Sequence, residues 1–239
     1  MTGLGTLVNM AAVVAGGLLG LAGGRFFTEK MQKTLLMANA VAVLFIGIGG
    51  AMQGMLHIKP DGTLGTQGTM MMIASMAIGA LLGEIINLED RMEEFGVWLK
   101  KRTGSEGDAG FVNGFVTASL TVCIGAMAII GAIQDSLQGD YTILFAKSVL
   151  DCIIIMVMTA SMGKGCIFSA IPIGILQGSV TVLAGFLAPV MTEAALANLS
   201  YIGSILIFCV GLNLVFGPKV RVANLLPALV IAVLWALYV

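Results

Sequence analysis

"LFAKSVLDCIII", residues 144–155, decides how the rest of the chain is read. The run has the composition of membrane interior, yet it holds Lys147 and Asp151 four residues apart. That step puts both on one helical face, where they can pair. If the span begins near Tyr141, a rise of about 1.5 Å per residue sets Lys147 ~9 Å deep and Asp151 ~15 Å deep, near the middle of a core about 30 Å thick. Either charge costs about 2.5–3.5 kcal/mol at the centre on insertion scales. The long stem of Lys147 can snorkel outward. Asp151 has no such escape and must be protonated, paired, ion-bound or in contact with water. Ionisable residues at this depth default to pathway and relay roles, so the pair is the leading candidate site.

The rest of the chain agrees with a membrane reading. Its 239 residues are 58% hydrophobic and 10% charged, with a mean hydropathy of +1.02. Soluble domains carry about 25% charged residues. A net charge of −1 speaks against a nucleic-acid partner. The start, "MTGLGTLVNMAAVVAGG", lacks the basic residue that precedes a signal peptide's apolar run, and reads as the first span. Cys123, Cys152, Cys166 and Cys209 are scattered, and His57 lies in a connection. That spacing predicts no metal centre, no disulfide framework and no cofactor.

Spans need about 20 mostly apolar residues. Eight segments qualify: 4–24, 38–56, 69–88, 110–133, 141–162, 166–189, 198–216 and 223–239. They predict an all-α membrane protein, a polytopic bundle of about eight transmembrane helices in one domain over residues 1–239. The longest connection, 89–109, opens as a charged amphipathic helix and ends in a Gly/Ser/acidic linker. Loop cations sort by side. Arg25, Lys30, Lys33, Arg91, Lys100, Lys101, Arg102, Lys164, Lys219 and Arg221 all fall in odd-numbered connections, and only Lys59 falls in an even one. By the positive-inside rule the 89–109 loop faces the cytoplasm and both termini face outside.

Short echoes suggest an internal duplication of a two-helix unit: "GGLLG" (16–20) returns as "GALLG" (79–83), and "GAMQ" (50–53) as "GAIQ" (131–134). Gly16, Gly20 and Gly24 share one helical face, as do Gly79 with Gly83 and Gly174 with Gly178. Small residues at that spacing let helices approach closely, predicting a tight bundle and a homo-oligomer. Further polar residues lie at depth. Gln177 is near the middle of the sixth span, while Asn213 and Glu84 are nearer the inner ends of the seventh and third. Asn9, Gln134, Asp135 and Asn224 read as caps or interfacial groups near span ends.

Four stretches together resemble a known family: "GAIQDSLQGDYTILFAKSVLD" (131–151), "GALLGEIINLEDRM" (79–92), "GTLVNMAAVVAGGLLG" (5–20) and "VANLLPAL" (222–229). They are similar to the bacterial membrane family of domain of unknown function 554, the YdfK-like or YqgA-like proteins. The resemblance implies a multi-spanning protein of the bacterial inner membrane, described as a transporter, and points at Asp140, Lys147, Asp151, Glu84 and Asn224. The expectation is a secondary transporter of a small solute or ion, with Lys147 and Asp151 as its binding or coupling site and Gln177, Asn213, Glu84, Asp140 and Asn224 as further candidates. The alternatives are a narrow ion channel and a non-transporting interaction or regulatory protein. An enzyme is not expected, since the lone histidine is outside the core and Asp151 has no second aspartate at its depth.

Overall fold

The computed structural model describes residues 3–24, 26 and 28–238, without the side chains of Glu29 and Ala126. Arg25 of the first connection and Val239 of the eighth candidate span lie outside these. The described residues form ten α-helices, two 3-10 segments and one small hairpin, an all-α fold of membrane type. Six stretches are long and apolar enough to cross a membrane: Leu4–Gly24, Lys30–Met55, Thr69–Ile86, Thr142–Met162, Lys164–Leu187 and Glu193–Phe216. A bent pair of helices adds a seventh if it counts as one span. Side chains such as Phe45, Ile85, Val182 and Phe186 are exposed in the isolated chain, the pattern of a lipid-facing surface.

The chain divides into two compact units. The first comprises Met1–Ala40, Asp90–Cys123 and Met127–Leu187. Its centre is the pair α1 (Leu4–Gly24) and α7 (Thr142–Met162). A Cβ on Gly16 or Gly20 would strike the backbone carbonyl of Cys152 or Met156, and one on Gly24 would sit 3.2 Å from the Cα of Ala160. Both series advance in steps of four, so the helices run parallel with backbones in contact. The glycine face read from the sequence is the seam that permits this approach.

The unit also holds α4 (Leu88–Arg102, from Asp90 onward), α5 (Phe111–Cys123), α6 (Ala126–Gln138) and α8 (Ala170–Leu187). A 3-10 segment, Lys164–Ser169, leads from α7 into α8. Val13, Ala118, Val122, Ile155, Met158, Cys166 and Ile173 form the core. The charged α4 lies on α5, with Phe95 edge-on to Phe115 at 5.8 Å. The single fourth span expected over 110–133 is instead α5 and α6, bent by 61° between Cys123 and Met127. No proline marks the break; Gly125, at φ 146, does.

The second unit comprises Val41–Glu89, Ile124–Ala126 and Ala188–Val239. It holds the later part of α2 (Glu29–Met55), then β1 (Leu56–Ile58) and β2 (Leu64–Thr66), paired antiparallel with His57 opposite Gly65. Next come α3 (Thr69–Ile86), α9 (Glu193–Phe216) and α10 (Pro227–Tyr238). Helix α2 begins earlier than the expected start at 38 because "EKMQKTLL" is itself a good helix former. The hairpin lies in the connection between the second and third expected spans. Met71, Tyr201, Ile202, Ala228 and Ala232 make this unit's core. At 12 residues, α10 is short for a span, and a 3-10 segment, Val222–Leu225, precedes it.

Candidate functional site: two polar clusters

In the first unit the two charges of α7 meet. Lys147 Nζ lies 2.8 Å from both carboxylate oxygens of Asp151, and the residues are 8% and 3% exposed. The lysine does not snorkel. It turns inward and donates a second hydrogen bond, 2.8 Å, to the backbone carbonyl of Val122. Val122 sits in the last turn of α5, where the break removes the amide its carbonyl would otherwise meet. The ammonium therefore caps the negative end of a half-helix. From α1, Asn9 Nδ2 donates to Asp151 Oδ2 at 3.1 Å. Three helices thus converge on the pair.

That bond also orients Asn9. Its Nδ2 is committed to the carboxylate, so Oδ1 faces away, and Oδ1 has no hydrogen-bond partner among the described residues. Three buried neighbours share this condition. Thr6, on α1, has an unpartnered Oγ1. Asp135, on α6, accepts the Gly5 amide at 2.9 Å through Oδ2 while Oδ1 stays unpartnered. Gln177, on α8, is 1% exposed with neither amide atom bonded.

The helix register brings these groups to one stretch of α1. A Cβ on Gly3 would lie 3.9 Å from Thr181, and one on Gly174 would lie 2.6 Å from Met10 Sδ. Helix α8 therefore runs antiparallel to α1, and the same register sets Gln177 beside Thr6 and Leu7. Asp135, expected as an interfacial cap, is buried and caps the first turn of α1. Asn9, expected as a cap or interfacial group, binds Asp151. The available signal was spacing, since Gly5, Asn9 and Val13 repeat in steps of four and reach Gly16 by a step of three, which keeps them on the face of the glycine seam.

Asp140 stands apart from this cluster. It is exposed and its Oδ1 accepts the Thr142 amide at 2.9 Å, holding the start of α7. Hydrogen bonds from the Thr142 hydroxyl and amide hold its carboxyl below the usual aspartate value.

The second unit builds a different cluster. Arg221 donates to Glu84 Oε1 at 2.6 Å and to Asn87 Oδ1 at 2.7 Å. Asn224 Nδ2 donates to Glu84 Oε2 at 2.6 Å, and Asn224 Oδ1 accepts the Glu89 amide at 2.8 Å. Glu89 in turn accepts the Ala223 amide at 2.7 Å. A Cβ on Gly83 would overlap the carbonyl of Asn224, so the α3 backbone lies directly on the 3-10 segment. Asn87, at φ 57, ends α3 in the left-handed conformation and donates its amide to Gly83. The assembly fastens the α3–α4 turn to the segment before α10. Asn213 is a local staple: Oδ1 accepts the Lys219 and Val220 amides, both at 2.9 Å, and Nδ2 donates to the Val220 carbonyl at 2.7 Å.

Of the seven candidate residues, the structure joins Lys147 with Asp151 in one unit and Glu84 with Asn224 in the other. Gln177 belongs to the surroundings of the first pair, while Asn213 and Asp140 shape turns.

Comparison with known proteins follows the same outline. The chain is 31% identical over 227 residues to "Uncharacterized membrane protein YdfK" of Bacillus subtilis (strain 168), covering 95% of this chain and 93% of the relative. It is 28% identical over 236 residues to "Uncharacterized protein YqgA" of Escherichia coli (strain K12), covering 96% and 94%. No solved structure matches significantly. The model of the family described as "Protein of unknown function (DUF554)" matches residues 4–237, and the chain belongs to that family.

Proposed function

We propose that this protein is a secondary transporter of a small solute or ion in the bacterial inner membrane, with both termini outside, and that it works as a homo-oligomer. The observation that carries the reading is the buried Lys147–Asp151 pair, whose ammonium has two acceptors: the carboxylate and the freed carbonyl at the end of α5. A buried charge pair of this kind costs more to desolvate than its attraction returns unless geometry and further hydrogen bonds compensate. Two acceptors give the lysine two low-energy partners. With the site empty it neutralises Asp151. When a cation or proton reaches Asp151, Lys147 moves fully onto the α5 terminus. The helix break then becomes the element whose conformation responds to loading, as in carriers built on discontinuous helices.

The test is ion flux in proteoliposomes under imposed pH and Na⁺ gradients, with a panel of small metabolites outside. Wild type should show gradient-dependent flux, and Asp151→Asn should abolish it. Flux at wild-type level in Asp151→Asn would remove the pair from the mechanism.

A further inference from the structure

Besides Thr159 Oγ1 and Thr181 Oγ1, four side-chain oxygens in the first unit are buried without a hydrogen-bond partner among the described residues: Thr6 Oγ1, Asn9 Oδ1, Asp135 Oδ1 and Gln177 Oε1. Their residues are 5%, 0%, 1% and 1% exposed. Buried polar atoms are nearly always bonded, so several orphans in one place call for a ligand. They come from three helices, α1, α6 and α8: the Gly5 bond holds Asp135 at the first turn of α1, and the α1–α8 register sets Gln177 level with Thr6 and Leu7.

The chemistry of the set selects the ligand class. All four are hard oxygen acceptors, and Asp135 supplies a carboxylate that no Lys or Arg pairs with among the described residues. The nearby ammonium of Lys147 is already committed to Asp151 and Val122. One uncompensated carboxylate with amide and hydroxyl oxygens suits a small hard monovalent cation. Divalent hard cations are generally held by more carboxylate than this.

We infer that Thr6, Asn9, Asp135 and Gln177 form a buried Na⁺-class cation site. Asn9 joins the site to the ion pair, because the amide whose Oδ1 binds the cation donates its Nδ2 hydrogen to Asp151. Occupancy fixes that amide and strengthens its donation, which weakens the hold of Asp151 on Lys147. As the coupling ion of the transporter the cation rests on the reading above; as a bound ion it stands without it.

The experiment is thermal unfolding of the purified full-length protein in detergent, at constant ionic strength, titrating NaCl against choline chloride and repeating with KCl. A ligand that binds the folded state raises stability in a saturable way. Wild type should show saturable stabilisation by Na⁺ and less by K⁺. Asp135→Asn should lose the response. Gln177→Met should weaken it by about tenfold or more in dissociation constant, and reports on the site if Asp135→Asn does not fold. Asp140→Asn, an exposed carboxylate on the same stretch of chain, should respond as wild type does. The site is overturned if wild type shows no saturable Na⁺ effect, or if Gln177→Met keeps the wild-type constant, or if Asp140→Asn loses the response as well. Saturable Na⁺ binding without any flux would keep the site and refute the transporter. Asp151-dependent flux without Na⁺ binding would do the reverse.

Discussion

Each unit holds an ion pair among its described residues, Lys147–Asp151 in the first and Arg221–Glu84 in the second, and the two differ in almost every physical respect. Lys147 and Asp151 are side chains of one helix, 10% and 4% exposed, in a region with several unpartnered oxygens. Arg221 and Glu84 come from separate elements and are 44% and 60% exposed, in a network where Asn87, Glu89 and Asn224 answer one another's donors and acceptors. The second arrangement is what a fastening needs: complete bonding, water alongside, and low cost if broken. The first is expensive to keep, which is the physical ground for the role proposed for it.

Mutations can break the comparison. The largest effect is expected at Asp151. Asp151→Ala leaves the Lys147 ammonium buried against one carbonyl and should cost about 3–5 kcal/mol in unfolding free energy. The double variant Asp151→Leu with Lys147→Met should recover most of that loss. Chemical denaturation of both in detergent checks it; a single variant as stable as wild type would mean the charge is hydrated and the contrast false.

Next comes the seam that holds the pair in place. Gly20→Ala sets a methyl against the Met156 carbonyl and should destabilise by about 1–3 kcal/mol. Gly23→Ala, where nothing lies within 4 Å, should stabilise by up to about 1 kcal/mol through helix propensity. Equal effects at the two positions would refute the α1–α7 contact.

Arg221→Ala should cost under about 1 kcal/mol, because its pair with Glu84 is half exposed. A cost equal to that of Asp151→Ala would erase the distinction between the clusters.

The smallest effect concerns Asp140. Its carboxyl is held below its ordinary value of 3.8 in the folded chain. Its contribution is therefore present above pH 3.8 and fades as pH falls through the lowered folded value. The melting-temperature gap between wild type and Asp140→Asn should be small near neutrality and close in acid. A gap that widens in acid would contradict the capping role.

Much of this was readable from residue spacing. The membrane class follows from composition, the Lys147–Asp151 contact from a four-residue step, and the α1 packing face from glycines repeating at the same step. Each is a local property, since periodicity reports which residues share a face. Spacing could not name the partner across that face. Asn9 meets Asp151 across 142 positions, Gly5 meets Asp135 across 130, and Lys147 meets Val122 across 25. Nor could it locate the break after Cys123, which runs through apolar sequence with no proline and only Gly125 at its corner. Composition and period thus sufficed for the bundle and the buried pair, because hydrophobicity and helical geometry act within a segment. The cap on α5, the turned amide of Asn9 and the unpartnered oxygens around Gln177 arose only when distant helices closed on one another, because an unmet hydrogen bond is a property of the packed interior.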